Sequence, residues 1–297
     1  MGLGTAPLGG LYEALSDDEG HRVVEAAWDA GIRFFDTAPL YGSGLAEQRL
    51  GTVLRTKPRD EFVLMTKVGR VLRADAAPDP DQTFKGIPPL NPVFDFSYEG
   101  VMRSVEESLA RLGMDRIDVL LIHDPDNYFD QAMTGAYRAL DRLRTERTIT
   151  AVGAGMNQAE MLARFARQAD FDVFLLAGRY TLLDQSGARE LLPLCLERGI
   201  AVVAGGVFNS GILADPRPGA HYNYRVAPPE LIERARQIAT ICERHGVELK
   251  AAAIQFPLRH PAVTAVLTGC RSVSELNENL SIFQSPIPDE LWAEVVQ

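Results

Sequence analysis

The sequence predicts an α/β fold, a single (β/α)8 barrel spanning residues 1–297, and three observations lead to it. Short apolar runs alternate with stretches of helical periodicity eight times along the chain. The runs are continuously apolar rather than alternating, as in IDVLLI at 117–122 and IAVVA at 200–204, which is the pattern of parallel strands. A length of 297 residues without a linker-like shift in composition suits one large barrel. A doubly wound sheet would need a Gly-x-Gly-x-x-Gly turn directly after the first strand. Gly2-Leu3-Gly4 has no third glycine in the right place.

Taken in order, residues 3–8 form the first apolar run, broken by Gly4 and Pro7. Ser16 with Glu19 three positions later is a capping box, and the helix it opens runs to about residue 30, with Val23, Val24, Ala27 and Trp28 as its apolar stripe. Strands follow at 32–36 and 61–67, with a helix over 45–56 between them. Residues 68–97, with Pro78, Pro80, Pro88, Pro89 and Pro92, read as a long functional loop. A helix over 98–112 precedes the strand 117–122, which runs straight into His123. Further strand–helix pairs lie at 149–152 and 159–168, 171–176 and 188–198, and 200–204 and 230–245. A second loop, about 211–228, is rich in Pro, Gly and aromatics. A helix over 248–258, a strand over 263–267, a helix over 272–282 and a terminal helix from about Asp289 complete the series.

Composition narrows the class. Hydrophobic residues are 46% and charged residues 24%, ordinary for a globular protein with a large core. The net charge of −10, with no basic run, argues against nucleic acid or an anionic membrane as partner. No stretch approaches 18 consecutive apolar residues, and no basic segment precedes an apolar one at the start, so no membrane span and no signal peptide are expected. Cys195, Cys242 and Cys270 are far apart without metal-type spacing, and read as reduced thiols of a cytoplasmic protein.

Catalysis in such barrels sits at the C-terminal ends of the strands. Those ends carry Asp36 and Tyr41, then Lys67, then His123, on three consecutive strands. Each alone has an ordinary structural explanation; together, at neighbouring strand ends, they form a proton-transfer set. A free tyrosine titrates near pH 10 and is a poor base at neutrality. A lysine ammonium nearby favours the phenolate, a carboxylate fixes the ammonium, and a histidine can donate to the substrate oxygen. The set moves a proton but no hydride, so it needs a cofactor. No metal-ligand spacing is present. Asn157 and Arg179 follow the next two strands, and Phe208, Asn209, Ser210 and Gly211 follow the seventh, offering N–H groups and a hydroxyl. Gly269, Arg271 and Ser272 open the eighth helix, where free N–H groups and a guanidinium suit a phosphate.

Asp36-Thr37-Ala38-x-x-Tyr41-Gly42, the Lys67 and His123 strand ends, and Gly269-x-Arg271-Ser272 through Glu278-Asn279 resemble the aldo-keto reductases along nearly the whole chain. Segments 3–10, 122–126, 179–183, 205–213 and 251–258 resemble that family's sugar dehydrogenase branch. The resemblance implies that Tyr41 is the general acid/base, Lys67 tunes it, Asp36 pairs with Lys67 and His123 orients the substrate. It implies a nicotinamide cofactor bound by Asn157, Phe208, Asn209, Ser210, Gly211, Leu213, Gly269, Arg271, Ser272, Glu275, Glu278 and Asn279. Ala177 and the Gly205-Gly206 pair stand where many members carry a Gln and a stacking Tyr, and Phe208 is a candidate substitute. Glu275 stands where an arginine often grips a 2′-phosphate, which favours NAD over NADP. The expected substrate is a small molecule: an aldose of the L-fucose, D-arabinose or L-galactose type oxidised at C1 to a lactone, or pyridoxal, with Asp124, Arg179 and Tyr12 as candidate contacts. Asp124 is equally readable as a turn residue before Pro125. A nicotinamide-binding regulatory subunit is the alternative from another class, and a monomer or homodimer is expected.

Overall fold

The protein is described by a computed structural model covering residues 1–80 and 82–295; Asp81, within the first long loop, and the last two residues lie outside it. The strands among the described residues are β1 (Gly2–Gly4), β2 (Phe34–Asp36), β3 (Val63–Val68), β4 (Arg70–Arg73), β5 (Asn91–Phe94) and β6 (Val119–His123). They continue with β7 (Ala151–Met156), β8 (Val173–Ala177), β9 (Ala201–Gly205), β10 (His221–Tyr222), β11 (Arg225–Val226) and β12 (Val263–Gly269). The fold is the expected one: a closed eight-stranded barrel in the order β1-β12-β9-β8-β7-β6-β3-β2. Parallel registers set Leu3 beside Phe35, Asp36 beside Met65 and Lys67 beside Leu121.

The Cα packing gathers the chain into two compact units, one of Met1–Met156, Phe171–Phe174 and Gly269–Leu276, the other of Asn157–Asp170, Leu175–Thr268 and Asn277 onward. In the first, Ser16 caps the helix Asp17–Asp29 by a reciprocal box with Glu19, a device that stabilises a helix by about 1 kcal/mol. Ser97 caps Tyr98–Leu112, which Gly113 ends in the left-handed conformation. Behind β3, the fully buried Glu47 accepts from Thr66 Oγ1 at 2.8 Å and from Arg111 Nε at 2.6 Å, so its charge is paired inside the core. In the second unit, β9 pairs with β12 through a bulge between Val263 and Ala265, and Tyr180 packs on Phe256 at 5.0 Å. Gln255 Nε2 donates to the carbonyls of Ile282 and Ser285, both at 2.9 Å, and so ties the helix Leu249–Gln255 to the end of Val273–Gln284.

Several expectations need correction. The loop 68–97 is not all irregular: β4 and β5 form an antiparallel hairpin within it, with Arg70 opposite Phe94. The loop 211–228 likewise contains the small β10–β11 hairpin. Gly153, Ala154 and Gly155 lie inside β7 rather than after it, because a Cβ at Gly153 would stand 2.0 Å from the Val173 carbonyl and only glycine admits the next strand there. Between β6 and β7 the chain is helical but not uniformly so: a π-helical segment, Ala132–Tyr137, precedes the helix Arg138–Thr145. Lys67 lies within β3, as expected of the strand over 61–67, and its side chain is 1% exposed.

Candidate active site

Asp36 ends β2, and Lys67 lies one residue before the end of β3, its parallel neighbour. Lys67 Nζ donates to Asp36 Oδ1 at 2.6 Å and to the Thr37 carbonyl at 2.8 Å, with both charged side chains almost fully buried. Burial pushes the Asp36 carboxyl up, and the Lys67 ammonium pulls against that rise. An ammonium placed so deep is held only by such a partner.

The same Nζ stands 4.7 Å from the centre of the Tyr41 ring. Tyr41 is placed by the turn after β2, where Gly9 lies against its backbone: a Cβ on Gly9 would come within 2.6 Å of the Tyr41 carbonyl carbon. Phe84, from the first long loop, tilts against the Tyr41 ring at 6.1 Å. That loop is fastened over the start of the chain by Tyr12 N donating to Thr83 O and Lys85 N to Gly10 O, each at 2.9 Å. Tyr12, an expected substrate contact, is thus a fastening point of this loop through its backbone, with its residue 47% exposed.

His123 ends β6 and meets the Tyr41 ring edge-on, centroids 5.9 Å apart at 89°. Burial, then the cations Lys67 and Arg70, hold its imidazole well below the ordinary histidine range, so the ring is neutral at pH 7. Its Nδ1 is buried with no hydrogen-bond partner among the described residues, and its Nε2 lies 3.5 Å from Asp124 Oδ2. Asp124 adopts φ +43°, and its Oδ2 accepts from Arg70 Nη2 at 3.0 Å. Burial raises the Asp124 carboxyl, Arg70 lowers it, and Asp126 adds to the rise. The structure therefore brings Asp36, Tyr41, Lys67, His123 and Asp124 together, and adds Arg70.

In the other unit, Asn157 Nδ2 donates to the Ala177 carbonyl at 3.0 Å, and Asn209 Nδ2 to the Gly178 carbonyl at 3.1 Å. Asn209 Oδ1 is buried without a partner among the described residues. Ser210 Oγ accepts from Tyr224 N at 3.1 Å. Arg179 is held in this loop network, donating to Gly178 O at 3.1 Å and Asn223 Oδ1 at 2.9 Å, with Asp184 Oδ2 3.7 Å from its Nε. Asp184 also accepts from the Tyr222 hydroxyl at 3.0 Å. Glu278 pairs with Lys250, and Asn279 is buried. In the first unit, Arg271 Nη2 pairs with Glu13 at 2.8 Å, Glu275 accepts from Arg271 N at 2.8 Å, and Ser272 Oγ accepts from Glu275 N at 3.2 Å.

Residues 1–297 match the Aldo/keto reductase family. The chain belongs to the aldo/keto reductases. It is 46% identical to the D-threo-aldose 1-dehydrogenase of a Pseudomonas species, over 100% of this chain and 93% of that one. It is 45% identical to the pyridoxal 4-dehydrogenase of Microbacterium luteolum (98% and 91% covered) and 30% identical to the L-galactose dehydrogenase of Arabidopsis thaliana (95% and 83% covered). The holo form of an aldo-keto reductase from Bacillus halodurans shares the fold, with a TM-score of 0.79 at 23% identity over 100% of this chain and 90% of that one. This reductase is an oxidoreductase enzyme acting on a small molecule. Among its described residues no helix is long and apolar enough to cross a membrane.

An aldo/keto reductase works with a nicotinamide cofactor, and the side chains present fit one. Asn209 Oδ1 is an unsatisfied buried acceptor, the state of a group kept for a ligand's donor. The helix Val273–Gln284 opens beside Arg271 and Ser272 with the dipole sense that suits phosphate. Two residues of the catalytic region escape a reading of the sequence. Phe84 falls in a proline-rich stretch without periodicity. Arg70 left one signal, a cation three positions after Lys67 and directly after a glycine.

Proposed function

We propose that the protein is a nicotinamide-dependent aldose 1-dehydrogenase, oxidising the C1 hydroxyl carbon of a cyclic sugar to a lactone. The observation that carries this reading is the buried Lys67–Asp36 pair set against the Tyr41 ring beside a neutral His123. Full-length identity of 46% to a D-threo-aldose 1-dehydrogenase supports it.

Tyr41, as phenolate, takes the proton of the C1 hydroxyl. Lys67 favours that phenolate through its charge, 4.7 Å from the ring centre, and Asp36 keeps the ammonium in place. His123, being neutral, donates one hydrogen bond to the C1 oxygen without adding a charge that would oppose its becoming a carbonyl. A bound oxidised nicotinamide would supply the acceptor for the C1 hydride. The C1–H and O–H bonds thus break as the C1=O bond of the lactone forms. Asn157, Phe208, Asn209, Ser210, Gly211, Leu213 and Gly269 are the residues we assign to cofactor binding, with Glu278 and Asn279 on the helix Val273–Gln284. Arg271 is already ion-paired to Glu13, and Glu275 adds a second carboxylate there, so NAD is favoured over a cofactor carrying a 2′-phosphate. Buried, unpaired cysteines at 195, 242 and 270 suit a reducing cytoplasm.

Pyridoxal is the second reading, favoured by the 45% identity to a pyridoxal 4-dehydrogenase. The test is steady-state reduction of NAD and of NADP by L-fucose, D-arabinose, L-galactose and pyridoxal in parallel. Turnover of an aldose with NAD is the expected result. Turnover of pyridoxal alone would transfer the assignment, and no reduction of either cofactor by any of the four would overturn both readings.

A further inference from the structure

Gly69, directly after β3, adopts φ +100° and lies so close to Phe96 that a Cβ there would stand 2.1 Å from its ring. That turn throws the chain out of the barrel into β4, and it delivers Arg70 three residues after Lys67. Arg70 is fixed on two sides. Its guanidinium carbon lies 4.4 Å from the centre of the Phe94 ring, its cross-strand partner, and its Nη2 donates to Asp124 Oδ2 at 3.0 Å. The same oxygen stands 3.5 Å from His123 Nε2. Three side chains therefore meet in series from the hairpin to the end of β6: guanidinium, carboxylate, imidazole.

A neutral imidazole carries one proton, and the two nitrogens here have different surroundings. Nδ1 faces no acceptor among the described residues, whereas Nε2 faces a carboxylate oxygen. A carboxylate attracts the N–H edge of the ring and repels a lone pair, so it selects the Nε2–H tautomer. At 3.5 Å the contact is longer than a full hydrogen bond, which leaves that N–H available to a substrate oxygen.

We infer that Arg70 is a positioning residue, acting through Asp124: by its charge, held in place by stacking on Phe94, it keeps the Asp124 carboxylate against the Nε2 edge of His123, and so keeps the ring in the tautomer that donates to the substrate. The use of that donor in turnover rests on the dehydrogenase reading above; the tautomer itself does not. The groups facing Asp124 are Arg70 from β4, Lys67 from β3, His123 at the end of β6 and Asp126 from its own loop. Without Arg70, burial and Asp126 act on the carboxyl with only Lys67 opposing them. Its protonation then moves to higher pH, and a protonated Asp124 no longer selects the donor tautomer.

The test has one arm without substrate and one with it. Imidazole 15N spectra of the uniformly labelled protein near neutral pH contain five histidines, and His123 is the set missing from His123→Asn. The expected wild-type form is the neutral Nε2–H tautomer. Arg70→Gln and Asp124→Asn are expected to give a tautomer mixture, and Arg70→Lys, which keeps the charge, to restore the wild-type form. Asn tolerates the left-handed φ of position 124, so Asp124→Asn preserves the backbone and decides the matter if Arg70→Gln does not fold. In turnover, Arg70→Gln is expected to move the acid limb of the kcat profile up by about one pH unit, the size of an Arg–carboxylate effect. Arg70→Lys should keep that limb near its wild-type position. An Nδ1–H tautomer in the wild type, an unchanged tautomer in Asp124→Asn, or an Arg70→Gln effect confined to KM at every pH would overturn the inference. Failure of the wild type to oxidise any sugar counts against the dehydrogenase reading alone, because the spectra need no substrate.

Discussion

Lys67 Nζ and Asp36 Oδ1 lie 2.6 Å apart with both side chains closed off from solvent. Buried ion pairs of this kind are seldom a net source of stability, since desolvation offsets most of the Coulomb attraction. Replacing both by apolar residues of similar size is therefore expected to leave the barrel folded and the enzyme inactive. Lys67→Met alone strands the Asp36 carboxylate. It is expected to lower kcat at least about a hundredfold and to cost about 3–5 kcal/mol of stability near neutral pH. Asp36→Leu/Lys67→Met should recover much of that stability and none of the activity. Denaturant unfolding beside kcat measurements checks both; equal stability in the single and double variants would contradict the argument.

Tyr41→Phe separates chemistry from packing. The ring contacts with Phe84, His123 and Lys67 involve the aromatic face and edge, which phenylalanine retains. Loss of the hydroxyl is expected to lower kcat by about 10²–10⁴-fold, the range of general acid–base contributions, with the fluorescence-monitored binding of reduced cofactor nearly unchanged. A comparable loss of cofactor affinity would instead make Tyr41 a binding residue.

What the sequence made legible follows from how parallel strands work. Asp36, Lys67 and His123 each terminate or nearly terminate an apolar run, and in a barrel all such ends point the same way, so their convergence was readable from three separate motifs. The hairpin of β4 and β5 was hidden because Pro92 sits within it, and a proline in a short run argues against a strand unless the strand is an edge, which β5 is. Arg70 was hidden with it: its meaning depends on a partner, Asp124, that only the folded hairpin supplies. Arg271 was legible as a cation near a helix start, but not its pairing with Glu13 from the far end of the chain.

His123 should leave a mark on acid stability. Its folded-state pKa lies well below the ordinary value of 6.5, so the unfolded chain takes up a proton as pH falls through that value while the native protein does not. The unfolded state binds more protons in that window, and stability falls as pH is lowered below it. One such group contributes a slope of up to about 1.4 kcal/mol per pH unit. His123→Gln is expected to flatten the stability–pH curve between about pH 6.5 and 5 by close to that amount, measured by urea unfolding at constant ionic strength. An unaltered slope would mean that the ring takes up its proton in the native protein as readily as in the unfolded chain.

On the proposed preference for NAD, three charges in the first unit are expected to set it: Arg271, Glu13 and Glu275. Glu275 both accepts from the Arg271 backbone N–H at 2.8 Å and begins the helix as its acidic residue, so its amide counterpart keeps an acceptor there while removing the charge. Glu275→Gln is therefore expected to lower KM for NADP about tenfold, or 1.4 kcal/mol, with little change for NAD. Glu13→Gln releases the Arg271 guanidinium from its 2.8 Å partner and should act in the same direction by a smaller amount, since Glu13 is largely exposed and its pairing is screened by solvent. Combined, the two should give an enzyme that uses both cofactors. If KM for NADP stays unchanged in the double variant, the preference is set elsewhere than at these charges.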